Sequence, residues 1–320
     1  MNRISVIICT WNRSASLRAT LLSLHEQSVP SETIVDVIVV DNNSTDDTRA
    51  EVDRLCSAWR RGTLRYVFEK RQGKQFALNT GIAACDSEIL AFTDDDILFP
   101  GGWISSICNL FSDPRIDLAG GRTLLAWPEG GPPRWYAKEM AAILGGVDLG
   151  SQRLLPPPDG YAPAGANLVV RRTLFEQTGI FSESHFRHMD YEFGLRCREA
   201  GVCVVYEPAL EVVAPVDPRM LSRRYFRRWS FKAGFSGPDE QEGDGRSFLS
   251  VPRWVYRQLA QDLVIFPVEY IFKPAGVAFT RELRICRAFG TISSRWYGRL
   301  WPDTYPQWVE RYSQKKNNVY

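Results

Sequence analysis

Apolar and polar positions along the first hundred residues fall into blocks that switch between two periods. The run ISVIICT (residues 4–10) is uncharged and rich in β-branched side chains, which predicts a strand buried on both faces. Residues 14–28 change to helical spacing, with Ser14 at the opening and Leu17, Leu21, Leu22 and Leu24 on the repeat. VDVIVVD (35–41) predicts a second buried strand, followed by a helix starting near Ser44 or Thr45, where cap residues precede acids. LRYVFE (64–69) gives a third strand, GKQFALNTGIAA a helix, and EILAFTD (88–94) a fourth strand. Strands alternating with helices in units of this length predict a mostly parallel sheet with helices on both faces.

The regularity then fades. Residues 127–164 contain WPEGGPPRWY and LLPPPDGYAP, so an irregular excursion that frames or covers a site is expected there. GANLVVRR (165–172) returns as a strand. DYEFGLRCREAG (190–201) opens on acids, carries Phe193, Leu195 and Cys197, and stops at Gly201, which predicts a helix with its stop signal. VCVVYEP reads as a further strand. From about residue 219 the pattern is helical, basic and aromatic, with no internal repeat and no low-complexity tract along the chain.

Charge sharpens this division. The chain has 320 residues, 44% of them hydrophobic, enough for a sizeable core and a second domain or large appendage. The formal net charge of +2 hides an asymmetry: residues 216–320 hold 18 Lys/Arg against 10 Asp/Glu, and residues 1–215 hold 21 against 27. The C-terminal third is therefore the part expected to meet an anionic surface, and the N-terminal part is not a nucleic-acid binder by bulk charge. Seven scattered cysteines never form a CxxC pair, which favours reduced core thiols in a cytosolic protein over a disulfide or zinc framework. No charged-then-apolar leader precedes the first strand, and the apolar stretch 263–279 is broken by Glu269, Lys273 and two prolines. A cytoplasmic protein without a bilayer span is the expectation.

Candidate chemistry gathers where strands end. In open sheets of this kind ligands bind beyond the C-terminal strand ends. Asp41 and the triplet Asp94, Asp95 and Asp96 both fall there. Three adjacent carboxylates repel one another unless water, hydrogen bonds or a cation compensates them. If the strand geometry persists, Asp94 and Asp96 share one side, and oxygen-only ligation with retained water suits Mg²⁺ or Mn²⁺ completed by substrate phosphates. A solvated loop or a helix cap is the other reading of such a triplet. The chain lacks G-x-G-x-x-G and G-x-x-x-x-G-K-[ST], so a glycine-loop phosphate cradle is missing. A cation bridging the triplet to a diphosphate is the remaining simple arrangement.

Six segments together resemble one family. SVIICTWNR, VIVVDNNSTDDT, GKQFALNTGI, ILAFTDDDILFP, GANLVVRR and DYEFGLRCREAG, in this order and spacing across residues 4–235, resemble an inverting glycosyltransferase of family 2. The resemblance implies the α/β nucleotide-diphospho-sugar transferase fold called GT-A, a Rossmann-like mixed sheet flanked by helices. It places a catalytic domain at 1–215, with a nucleotide-sugar half at about 1–125 and an acceptor half at about 126–215, followed by a helical extension at 216–320. It also implies roles. Thr10, Trp11, Asn12 and Arg13 would line the nucleotide pocket, and Asp41 would accept from the imide N–H of a uracil- or thymine-like base, or would cap the following helix. Lys74 and Asn79 would approach the nucleotide, although Lys74 also reads as a solvated lysine. Asp94 would contact the ribose or the metal shell, Asp96 would ligate Mn²⁺ or Mg²⁺ directly, and Asp95 would lie against the nucleotide-sugar. Gly165, Ala166 and Asn167 would border the donor sugar.

The same resemblance puts the catalytic base at Asp190, with Glu192 as a second candidate. Inversion in one step requires an acceptor hydroxyl to lose its proton as it attacks opposite the departing diphosphate. An N-cap role worth about 1 kcal/mol is the alternative for Asp190. Relatives often carry a metal-binding histidine near the position of Ala214. This chain has only His25, His185 and His188, so the metal is held by Asp96, diphosphate and water, or His185 or His188 compensates.

The segment RMLSRRYFRRWSFKAGF (219–235) carries six basic and five aromatic residues and no acid. As a helix it would suit an anionic leaflet, and with 263–279 behind it would bring the site to a lipid-linked acceptor from the inner face of a cell membrane. Packing on the catalytic domain is the alternative. The expected donor is a nucleotide-diphosphate sugar, with UDP or dTDP favoured, and the acceptor is a glycan or a lipid-linked glycan. A sugar-nucleotidyltransferase and a catalytically silent sugar-binding scaffold are the competing readings. Oligomeric state is not legible.

Overall fold

Strand β1 (Asn2–Thr10) sends alternate side chains into two separate apolar layers. Ile4, Val6 and Ile8 enter one, and Ile7 and Cys9 enter the other. Strand β2 (Thr33–Asp41) divides in the same way, with Val35, Val37 and Val39 on the first side and Ile38 and Val40 on the second. An unbroken β-branched run is what a sheet covered on both faces requires. Each fully buried aliphatic side chain contributes about 1.5–3 kcal/mol relative to exposure, so the two layers carry much of the fold's stability.

Helices close both layers. The first receives Leu17, Leu21 and Leu24 of α1 (Ser14–His25), Val52 of α2 (Thr48–Cys56), and Trp103, Ile104 and Ile107 of α4 (Trp103–Phe111). The second receives Ala77, Leu78 and Ile82 of α3 (Lys74–Ala83), Leu174 and Phe175 of α5 (Leu174–Thr178), and Phe193 and Cys197 of α6 (Met189–Glu199). With β3 (Leu64–Phe68), β4 (Ile89–Asp94), β5 (Leu118–Ala126), β6 (Leu168–Arg171) and β7 (Val204–Pro215), the sheet has seven strands in the order β3-β2-β1-β4-β6-β5-β7. Pairs β1–β2, β1–β4, β2–β3 and β5–β7 are parallel, and β6 alone runs against its neighbours. Leu168, the first residue of β6, therefore pairs with Phe92 near the end of β4. The expected mixed α/β sheet is present.

This computed structural model describes residues 2–60, 62–184, 188–235, 247–305 and 307–308. Its packing separates two compact units, residues 1–126 with 145–215, which hold the sheet, and residues 127–144 with 216–320.

Several elements depart from the expected pattern, each for a local reason. Helix α2 starts at Thr48, not at Ser44 or Thr45. Asp46 takes the backbone N–H of Ser14 at 3.0 Å and that of Thr48 at 3.1 Å, so residues 44–47 tie the openings of α1 and α2 together. The segment expected as a strand from residue 165 begins as a short 3₁₀ turn, Gly165–Asn167, and becomes a strand at Leu168. Helix α4 and strand β5 carry no clear signal in the sequence. Gly101 and Gly102 precede α4 without a cap residue, and Gly120 and Gly121 interrupt the apolar run of β5. Gly121 is required where it stands: a Cβ there would sit 1.9 Å from the Leu210 carbonyl oxygen of β7, next to the register shift between the two strands.

In the second unit, α7 (Arg223–Phe235) and α9 (Ala275–Leu300) cross at paired glycines. A Cβ on Gly234 would meet the Arg287 carbonyl at 2.0 Å, and one on Gly290 would meet the Phe231 carbonyl at 2.0 Å. Phe226, Phe279, Leu283 and Met140 form the core of this crossing. The C-terminal third is not helical throughout, because β8 (Ser247–Phe248) and β9 (Val251–Pro252) make a small antiparallel pair before α8 (Arg253–Phe272). The broken apolar stretch 263–279 folds as the end of α8, a turn at Lys273 and Pro274, and the start of α9. Asp262 of α8 is 1% exposed and is held by Arg281 at 2.5 Å and by Arg284. Arg281 also takes Glu269 at 2.5 Å.

Candidate active site

The strand register builds one acidic rim. Thr10 at the end of β1 pairs with Asp41 at the end of β2, and Cys9 pairs with Asp94 at the end of β4. Past Thr10 the chain turns at Asn12, whose φ of 51° is a left-handed value that asparagine tolerates. The Asn12 N–H donates to Ser44 Oγ at 2.9 Å, and its Oδ1 accepts from the Thr45 N–H at 2.7 Å. Asn12 thus stitches the loops after β1 and β2 together. Asp41 is buried beside them and accepts from the Ser44 N–H at 2.9 Å and from the Tyr66 hydroxyl at 2.6 Å. Burial and that carboxylate push the Tyr66 phenol above its ordinary value, so Tyr66 stays a donor.

Protein cations compensate the Asp triplet. Arg13 Nη1 reaches Asp95 Oδ1 at 3.1 Å and Asp96 Oδ2 at 2.7 Å. Lys74, at the first position of α3, pairs with Asp94. Asp95 is the buried member, and its second oxygen accepts from Thr10 Oγ1 at 2.7 Å. Burial, reinforced by Asp96, pushes Asp95 up to about 6 against the pull of Arg13. Burial and Asp94 also raise Asp96. Burial alone would lower Lys74, but Asp94 outweighs it and holds the ammonium charged well above its ordinary range, with Asp190 adding to the effect. The rim is a packed, mixed-charge cluster. Lys74 is a part-buried ion-pair member, not a solvated lysine.

Asp190 lies at the second position of α6, while His188, with φ of 56°, takes the cap position. The cap reading of Asp190 therefore does not describe its place. Its Oδ2 accepts from the Gly165 N–H at 2.7 Å, and its Oδ1 accepts from the Tyr191 N–H at 3.0 Å. A Cβ on Gly165 would stand 3.2 Å from Asp190 Oδ2, so the glycine lets the backbone approach the carboxylate. The second candidate, Glu192, is held by Arg196 at 2.8 Å.

Other expected residues divide between rim and core. Asn79 is buried in α3, donates to the Phe181 carbonyl at 2.9 Å and leaves Oδ1 without a partner among the described residues. Ala166 is buried, and its carbonyl accepts from Thr93 Oγ1 at 3.0 Å. Asn167 is fully engaged inside the fold. It accepts from Trp103 Nε1 at 3.0 Å and donates to the carbonyls of Arg122 at 3.1 Å and Leu210 at 2.6 Å. Ala214 is buried in β7 opposite Leu125. His25 ends α1 against the Trp59 ring, 5.0 Å between centroids, and His185 lies outside the described residues. All seven cysteines are unpaired, with Cys9 and Cys197 buried and the others partly so.

The structure adds Asn42 and Glu69. Asn42 is buried, donates to the Arg71 carbonyl at 2.6 Å and accepts from the Gly73 N–H at 2.7 Å, which fixes the loop that delivers Lys74. Glu69 follows β3 at the same rim and binds Arg71 at 3.0 Å and Thr80 at 2.6 Å. Its signal was in the sequence, an acid ending a strand as Asp41 and Asp94 do.

The donor set of Asp94 and Asp96, oxygen only and part-exposed, suits a hard divalent cation. Among the described residues no three His, Cys, Asp or Glu side chains converge to cage one. Two carboxylates supply only part of such an ion's shell, so its other ligands would have to come from outside the protein.

Comparison with known proteins gives a consistent placement. Residues 5–178 match the model of glycosyl transferase family 2. The chain is 29% identical over 240 residues to the pre-mycofactocin glycosyltransferase of Mycobacterium tuberculosis, covering 73% of this chain and 47% of that protein. It spans about half the length of that relative. It is 24% identical over 252 residues to the glucosyl-dolichyl phosphate glucuronosyltransferase of Haloferax volcanii, covering 73% of this chain and 76% of that one. Among solved structures it is similar to the mannosyltransferase PcManGT from Pyrobaculum calidifontis in complex with GDP-Man and Mn²⁺, with a TM-score of 0.57, 20% identity, and coverage of 94% of this chain and 88% of the other. That likeness shows the GT-A fold.

Proposed function

Since this chain belongs to glycosyl transferase family 2, we propose that it moves a sugar from a nucleotide-diphosphate donor to a glycan or lipid-linked acceptor with inversion. The observation that carries this reading is the Asp190 carboxylate, clamped by the Gly165 N–H and close enough to Lys74 to raise its pKa. In this reading the reaction belongs to residues 1–126 and 145–215.

Each residue then has a task. Asp190 takes the proton of the acceptor hydroxyl as that oxygen attacks the anomeric carbon. Asp41 keeps a second lone pair on each oxygen and accepts from the imide N–H of a uracil or thymine base. Guanine carries the same group. Asn12 and Thr10 shape the floor of the base and ribose pocket. Asp94 and Asp96 hold Mn²⁺ or Mg²⁺ against the diphosphate, where the ion would neutralise the charge that develops on the leaving oxygens. Lys74 and Arg13, which flank the triplet, are the two cations that would meet the diphosphate. The Haloferax relative is a glucosyl-dolichyl phosphate glucuronosyltransferase, which supports a lipid-linked acceptor and work at a membrane surface. In α7, Arg224 and Arg228 are exposed, which supports a basic face on 219–235, while Arg227 pairs with Glu282 at 2.6 Å.

Titration calorimetry with UDP-, dTDP- and GDP-sugars in MnCl₂ tests the reading. Heat of association with one of them, with slow donor hydrolysis in the absence of acceptor, is expected. Silence across all three overturns it in favour of a catalytically inert scaffold. Pyrophosphate release from a sugar phosphate and a nucleoside triphosphate would identify a nucleotidyltransferase instead.

A further inference from the structure

The end of α8 presents an apolar face that nothing in its own unit covers. Val264 is 74% exposed, Val268 57%, Ile271 70% and Phe272 77%. These positions recur at helical spacing and share one side. A contiguous exposed patch of this kind marks a binding surface.

Charge around the patch selects the partner. Between Arg253 and Leu300 there are eight Lys/Arg and three acids. All three acids are turned into ion pairs, Asp262 with Arg281 and Arg284, Glu269 with Arg281, and Glu282 with Arg227 at 2.6 Å. Lys273 stays exposed at the turn beside Phe272. With Arg223 it lines a cleft of about 290 Å³ whose walls include Phe266, Tyr270 and Phe279 and the Glu282 that Arg227 neutralises. The face therefore joins apolar side chains to a positive rim with its negative charge withdrawn. A second copy of the chain would bring like charges together. An anionic bilayer satisfies both halves. Helix α7 lacks the inserting half, because Phe226 and Phe235 are buried.

We propose that the α8–α9 turn, residues 263–277, docks on the surface of an anionic bilayer. Val264, Val268, Ile271 and Phe272 enter the headgroup–acyl boundary, and Arg223 and Lys273 meet lipid phosphates. No helix among the described residues is long and apolar enough to cross a membrane; the contact lies in the plane of the interface. The inference rests on the second unit alone and stands apart from the sugar chemistry.

Co-sedimentation of the full chain with phosphatidylcholine vesicles, pure or mixed with phosphatidylglycerol, tests it. Partitioning onto the mixed vesicles should be at least about tenfold stronger and should fall as salt rises. The double variant Val268→Glu, Phe272→Glu should return partitioning to the level of pure phosphatidylcholine, and Lys273→Glu should lower it several-fold. All three acid substitutions fall at exposed sites, and an unchanged thermal unfolding curve verifies the fold. Wild-type partitioning by the double variant overturns the proposal. So does a wild-type dimer in light scattering that the double variant converts to monomer, since the face would then belong to a second copy.

Discussion

The Asp190 carboxylate and the Gly165 N–H stand 2.7 Å apart, so a backbone amide at the entry to β6 fixes the candidate base on α6. Asp190→Asn should keep donor affinity and cut transfer by about 10²–10⁴-fold, the usual contribution of a positioned base. Gly165→Ala places a methyl group 3.2 Å from Asp190 Oδ2 and should lower kcat with little change in donor KM. Steady-state kinetics with the donor identified by calorimetry reads both. Wild-type turnover by Asp190→Asn would move the base elsewhere.

Lys74 and Arg13 stand in for a cation at the Asp triplet. Replacing Lys74 by Met leaves Asp94 facing two like charges and should cost about 1 kcal/mol of stability, a part-exposed pair being worth no more. Added Mn²⁺ should then stabilise the variant more than it stabilises the wild type, and EDTA should remove the difference. Thermal unfolding with and without metal measures this, and equal responses in the two proteins would count against metal binding at the triplet.

Asp262 is the buried junction of α8 and α9. Asp262→Ala leaves Arg281 and Arg284 without their shared carboxylate, a loss of about 3 kcal/mol for a buried pair broken on one side. Urea unfolding monitored by tryptophan fluorescence should show the C-terminal transition moving to lower denaturant. An unchanged midpoint refutes the assignment.

Glu69 gives the acid limb of stability. Hydrogen bonds from Arg71, then from Thr80, hold its carboxyl at about 2, below the ordinary 4.5. A depressed folded-state pKa means the contribution is complete above pH 4.5 and disappears as pH falls toward 2. Glu69→Gln should therefore flatten the fall of Tm with pH in that window. Parallel Tm profiles for the two proteins would refute the claim.

The sheet was legible where pattern and burial agree. β1 and β2 are buried on both faces and read as continuous apolar runs, and their register alone placed Asp41 beside Thr10. β5 was not legible, because Gly120 and Gly121 look like a break until the close approach of β7 is seen. The acidic rim was legible as a cluster, but its neutralisation depends on Arg13, from the loop after β1, and Lys74, from α3, both reaching the end of β4, which no local spacing reveals. Asn167 shows the limit of proximity along the chain. It adjoins the rim in sequence, yet its side chain points into a web of Trp103, Arg122 and Leu210.

The reversal of β6 has a consequence for how this scaffold diversifies. A lone antiparallel strand enters the sheet at the margin where its neighbours finish, so the chain departs from β5 and comes back to β6 on one side of the barrier they form. Between Ala126 and Gly165 the chain is tied back to the sheet where Val147 bridges Thr123 and Leu154 bridges Tyr206, so length and composition can drift only outside these anchors and Met140. Swapping the residues between those anchors among homologues, with the strand ends untouched, would test whether this stretch governs the choice of acceptor.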